Sequence, residues 1–176
     1  MWASTPDAYV ILEHFAANNE ETVLADYGMM LWGNISHEYN EATLGYNNNL
    51  SGVDYQARGW DDAHLIAYME SHDEERLNYK NLNFGNSNGS YNITDLPTAL
   101  KRLELGSVFY FPIPGPKMLW QFGELGYDFS INRCTNGSIN ENCRLDPKPI
   151  RWDYFCLLYT SPSPRDATLS RMPSSA

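Results

Sequence analysis

The chain has 176 residues, 43% of them hydrophobic, enough for one or two domains with a sizeable core. Twelve Lys and Arg against 22 Asp and Glu leave a formal net charge of -10, which excludes the basic surface that nucleic acid or an anionic membrane requires. No apolar run reaches the ~18 residues of a spanning helix, and no basic stretch followed by an apolar one marks a signal peptide. The opening Met1-Trp2-Ala3 runs almost directly into a strand-like segment, as if the chain starts inside its fold.

AYVILE, from Ala8 to Glu13, is nearly continuous in apolar residues and ends in a carboxylate. Its length and the β-branched Val10 and Ile11 predict a strand buried on both faces. NNEETVLADYG follows, with acidic residues at the front of a short helix. YGMMLW, Tyr27 to Trp32, predicts a second buried strand. Residues 33 to 63 are polar and rich in Asn and Gly, and predict a long loop with a poorly defined helix. LIAYME, Leu65 to Glu70, predicts a third buried strand that opens into SHDEER. NLNFGNSNGSYNIT then reads as low-complexity and turn-rich. DLPTALKRLELGSVFYF predicts a helix with Asp95 at its cap, Pro97 in its first turn, and Leu96, Leu100 and Leu103 on one face. A Pro-Gly-Pro turn leads to a fourth apolar run, Met118 to Phe122, with Met118 and Trp120 on one face and therefore expected in the core. Residues 128 to 155 read as irregular.

The tail from Cys156 to Ala176 changes composition abruptly to Ser, Pro, Arg and Thr. It reads as disordered, either a translated adapter or vector sequence or a natural flexible tail. The expected organisation is a folded unit over 1–155 and a tail over 156–176.

Buried strands separated by helices predict an α/β fold with a parallel sheet. Polar groups sit just past three strands: Glu13-His14, His72-Asp73 and Glu124. In parallel α/β folds ligands bind at that edge. Glu13 and Asp73 occupy comparable places, and paired carboxylates can share acid, base, nucleophile or charge-stabilising work on a glycosidic bond. The abundant Trp and Tyr suit stacking on sugar faces. Helix capping or a salt-bridged framework would account for the same carboxylates. His14, His37, His64 and His72 show no close ligand pair, so no metal site is expected. Cys134 and Cys143 lie nine apart in an Asn/Gly-rich loop and predict a disulfide, with two free thiols as the rival. N-x-S/T sequons at Asn34, Asn49, Asn88, Asn92 and Asn136 arise readily in a chain this rich in Asn.

Four ordered motifs add a resemblance. AYVILEHF, YMESHDEERL, PGPKMLWQFGELGYD and DPKPIRWDY together resemble the second half of an α-amylase-family catalytic domain, glycoside hydrolase family 13, over residues 5 to 155. The resemblance implies a partial TIM (β/α)8 barrel, strands five to eight with their helices, from a domain that in full takes about 250 residues. It implies retaining hydrolysis of α-glucans or maltooligosaccharides, with branching or other transglycosylation, or non-catalytic glucan binding, as alternatives. Glu13 takes the general acid/base place and Asp73 the transition-state-stabilising place. His72 takes the sugar-binding place, Glu124 shapes the pocket floor, and His14 lines an aglycone-side subsite. Ser71 stands where the family more often has Asn, and Gly123 directly precedes Glu124 where the family has Gly-x-Glu. The family's nucleophile lies in Gly-x-Arg-x-Asp, a pattern absent here. The resemblance implies no cofactor for these residues, Ca2+ as an option for the parent enzyme, and a secreted or periplasmic parent.

Overall fold

Four short parallel strands, added in chain order, form the main sheet of the computed structural model, which describes residues 3–155. They are β1 (Ile11–Leu12), β2 (Met30–Asn34), β3 (Leu65–Tyr68) and, after a two-stranded hairpin of β4 (Ser87–Asn88) and β5 (Tyr91–Asn92), β6 (Lys117–Met118). The order β1-β2-β3-β6 is parallel throughout. Parallel neighbours need crossovers, and helices supply them. These are α1 (Asn18–Asp26), α2 (Ser36–Leu44), α3 (Leu77–Phe84) and α4 (Leu96–Val108). The α/β class read from the sequence therefore holds: a parallel sheet flanked by helices.

Register aligns the C-terminal ends of β2, β3 and β6, while β1 ends three residues earlier, level with the start of β3. Leu12 pairs with Leu31 and Leu31 with Leu65, while Asn34 pairs with Tyr68 and Tyr68 with Met118. All four strands run the same way, so the segments that leave them emerge on the same side of the sheet.

The core lies between the sheet and its helices. Leu31, Leu65 and Ala67 pack with Ala25, Ile35, Tyr39, Leu77 and Tyr110, all buried. The Tyr110 hydroxyl sits between the carbonyls of Ala67 (2.6 Å) and Met118 (2.9 Å), tying β3 to β6. The Tyr39 hydroxyl donates to the Phe109 carbonyl at 2.7 Å, and its burial pushes the phenol up to about 12. A second cluster of Phe122, Leu125, Tyr127 and Tyr154 lies beyond β6.

Several expectations are corrected by packing. The first strand is not buried on both faces: Ile11 is 52% exposed and Tyr9 80%, because β1 pairs only with β2 among the described residues. An apolar run specifies an extended chain, but the neighbours decide its burial. Residues 33 to 63 contain a full helix, α2, closed by Gly45 at φ 92°. The expected helix is poorly defined in the sequence because Ser36, Asn40 and Thr43 share its buried face with Tyr39 and Leu44. Asn40 donates to the Ser36 carbonyl and Thr43 to that of Asn40, so the helix backbone satisfies these two donors, while Asn40 Oδ1 has no partner among the described residues. The segment read as turns from residue 81 begins as the last half of α3 and becomes a hairpin only at Ser87. In α4, Leu100 is buried but Leu96 remains 38% exposed. The fourth strand stops at Met118, and the chain turns through Phe122 in the left-handed region at φ 60°. The tail over 156–176, including Cys156, lies outside the described residues.

Candidate functional site

Glu13 leaves β1 and His72-Asp73 leave β3 at the same sheet edge. Ligand-type atoms of Glu13, His72 and Asp73 all lie within 4.8 Å of one another. The three are distant in sequence, and all three are exposed. His72 Nε2 is 3.5 Å from Asp73 Oδ2. The His72 ring meets Trp120 at 5.8 Å and, edge-on, Trp32 at 6.0 Å between centroids. Trp32 in turn meets Tyr68 at 5.5 Å. Burial, together with the carboxylates of Glu74, Glu13 and Asp73, pushes the Tyr68 phenol well above its ordinary range.

The turn that presents Asp73 is built by Ser71. Its buried hydroxyl donates to Glu74 and accepts the Asp73 backbone N–H at 3.0 Å. Glu74 also accepts from Asn34 Nδ2 at 2.5 Å, joining this turn to the end of β2. Ser71 is therefore a turn former.

Buried charge holds the rest of SHDEER. Glu70 Oε1 accepts the Leu77 N–H at 2.7 Å and Oε2 lies 3.6 Å from Arg76 Nη1. Burial pushes the Glu70 carboxyl up, against the pull of Arg76 and of the Leu77 N–H. Arg76 donates to the Gln121 carbonyl and lies 4.7 Å over the Tyr127 ring. Glu75 accepts from Ser130 Oγ at 2.6 Å and from the Ile131 N–H at 2.8 Å. These contacts anchor the loop after β6 to the turn that carries Asp73. At Gly123 a Cβ would stand 2.5 Å from Glu70 Oε2, so the glycine permits that close approach.

A cleft of about 260 Å³ is lined by Ser71, His72, Trp120, Tyr127, Arg144 and Lys148 among others; of the trio only His72 is in its lining, and Glu13 and Asp73 stand outside it. Arg144 Nη2 is 3.1 Å from Asp73 Oδ1 and also donates to the Asp73 carbonyl. The Cys134–Cys143 disulfide forms, as the spacing predicted.

The other two expected residues sit elsewhere. Glu124 lies on a 3-10 turn, Gly123–Leu125, and lines a separate pocket of about 200 Å³ with Met69, Glu70 and Leu77; Trp120 borders both spaces. His14 is paired with Glu20, Nε2 to Oε1 2.9 Å, and does not line the cleft. Trp120, expected in the core, instead stands against His72. Neither Glu13 nor Asp73 caps a helix: Ala17 and Arg76 hold the N-cap positions of α1 and α3. Tyr68, Glu74, Trp32 and Arg144 were missed. Glu74 lies inside SHDEER and Tyr68 inside the third apolar run, so their positions but not their roles were marked, and Arg144 carried no signal.

Among the described residues, two groups of side chains have metal-ligating composition. In Cys134, Cys143 and Asp146 the sulfurs are bonded to each other. Glu13, His72 and Asp73 mix imidazole with two carboxylates, a set that zinc accepts but not the six to eight oxygens of a calcium site. No helix among the described residues is long and apolar enough to cross a membrane. No family model matches the chain, and no curated protein matches it.

Proposed function

We propose that these residues form the acid/base and charge-stabilising side of a retaining α-glucan hydrolase site, on strands five to eight of a (β/α)8 barrel. One observation carries the reading. Glu13 and Asp73, with His72, are named from separate motifs, and their polar atoms lie within 4.8 Å of one another beyond parallel strands. The sequential parallel order β1-β2-β3-β6 supports the barrel reading. Trp32, Trp120 and His72 supply flat surfaces beside the carboxylates, as sugar stacking requires.

In this reading Glu13 protonates the glycosidic oxygen as the bond breaks, then takes a proton from the incoming water. Asp73 accepts hydrogen bonds from two ring hydroxyls and favours the oxocarbenium-like state. His72 donates to the same ring. The attacking carboxylate belongs to a Gly-x-Arg-x-Asp segment that the 176 residues do not contain. The residues present position and protonate the sugar; they do not form the covalent intermediate.

The test is calorimetry with maltoheptaose on the 176-residue polypeptide, beside a reducing-sugar assay on soluble starch. Binding without turnover is expected, and Asp73→Ala and His72→Ala each weaken binding by about tenfold or more, as loss of a charge-assisted or buried hydrogen bond does. Binding indifferent to both substitutions sinks the assignment of the site. Starch hydrolysis by the pure polypeptide sinks the assignment of the missing nucleophile.

A further inference from the structure

Asp73 is exposed and leaves the sheet on a turn, so what holds its carboxylate matters. His72 stands on the Oδ2 side at 3.5 Å. The Oδ1 side is held by Arg144, whose Nη2 also donates to the Asp73 backbone carbonyl. Arg144 comes from a loop 71 residues away in sequence. That loop has little apolar burial of its own: residues 135 to 142 are exposed. Three kinds of tie shape it. Cys134 is 6% exposed, accepts the Gly137 N–H and donates to the Ser138 carbonyl, and so fixes the buried end. Lys148 Nζ gathers the carbonyls of Cys143 and Asp146, both at 2.8 Å. The Cys134–Cys143 disulfide joins the buried end to the residue immediately before Arg144. It is the covalent tie, closing a loop nine residues apart and removing the freedom that would let Arg144 drift from Asp73.

We propose that Arg144 is a positioning residue for Asp73 and that the Cys134–Cys143 disulfide sets it in place, so that the site's affinity for carbohydrate depends on the redox state of that cysteine pair. The carbohydrate part rests on the reading of Asp73 given above; the link from disulfide to Arg144 to Asp73 does not. Arg144 occupies one direction at Oδ1 and leaves the other lone pairs of the carboxylate free to accept sugar hydroxyls. The switching step is thiol–disulfide exchange with a dithiol reductant. The S–S bond takes two electrons and two protons and becomes two thiols, and the reductant leaves as its own disulfide.

The experiment measures maltoheptaose binding and the backbone amide resonances of Asp73 and Glu74, on the oxidised and dithiothreitol-reduced chain, with circular dichroism to verify that the reduced chain keeps its fold. Reduction is expected to weaken binding about two- to fivefold, the range of an exposed charge-assisted contact. Arg144→Ala is expected to give the same loss in the oxidised protein and to show no further loss on reduction. Arg144→Lys is expected to recover part of the affinity. This non-additivity is the signature of one chain of contacts. Equal losses on reduction in wild type and Arg144→Ala overturn the proposal, as does a reduced, folded wild type with unchanged binding and unchanged resonances. If the oxidised wild type binds no maltooligosaccharide, the carbohydrate reading fails by itself. The amide shifts then decide the link: they move on reduction in wild type and not in Arg144→Ala, or the link is wrong.

Discussion

The two ends of the candidate site are built differently. Asp73 and His72 stand on a heavily braced turn. Ser71 and Glu74 shape it, Glu70 and Arg76 lie buried beneath it, and Arg144 reaches it from another loop. Glu13 follows a two-residue strand at the sheet edge, next to Phe15 at 58% exposure. The braced end sets its own geometry through contacts within the described residues. The Glu13 end takes its geometry from one neighbouring strand. A carboxylate pair of this kind is only as well defined as its less supported member.

The largest expected effect tests the bracing. Arg76→Ala leaves Glu70 buried without its cation and should lower stability by about 3–5 kcal/mol in urea unfolding. A loss below 1 kcal/mol would mean that the buried pair does not hold the turn. The central and edge strands can be compared directly. Leu31 is fully buried and Leu31→Ala should cost about 2–5 kcal/mol, whereas Ile11→Ala, half exposed on β1, should cost less than ~1 kcal/mol. Similar losses at both would show that β1 is as well packed as β2.

A pH effect follows from Tyr39. Its folded value, about 12, lies above the ordinary 10. The unfolded chain therefore releases the phenolic proton first, and the stabilisation is complete below pH 10 and lost as pH rises toward 12. The loss is on the order of 2 kcal/mol, and Tyr39→Phe should flatten that limb of the stability profile. A profile unchanged by the substitution would assign the limb to other groups. The smallest effect is at His14. His14→Ala breaks an exposed pair with Glu20 and should change stability by less than about 0.5 kcal/mol and leave maltoheptaose binding alone. A clear loss of affinity would return His14 to the sugar-binding surface.

Pattern and spacing went far for the fold. Continuous apolar runs located β2 and β3, the acidic front located α1, and Pro97 placed the start of α4. Local patterning failed where burial was polar, as in α2, whose Ser36, Asn40 and Thr43 are buried, and where an apolar run has no second strand neighbour among the described residues, as at β1. In the site, Glu13 was legible because it directly follows an apolar strand, and His72 and Asp73 because they come in the short polar segment that the third apolar run opens into. Glu70 was not, because nothing in YMESHDEER distinguishes a buried carboxylate from its solvated neighbours.

The sequence by itself determined the α/β alternation, the cysteine pair and the three polar residues at the strand ends. Each depends on periodicity or short spacing, which a one-dimensional reading carries. Only the tertiary structure decided which of them meet. The parallel strand order, with the turn that follows β3, brings Glu13 to Asp73, and a loop closed by a disulfide brings Arg144 to the same carboxylate. It also placed Glu124 in a neighbouring pocket and turned Trp120 from the core toward His72. The physical reason is that contacts between distant segments depend on strand neighbours and on the direction of each turn. The left-handed Phe122 and the close approach at Gly123 set such a direction, and neither is written in the composition of the segment.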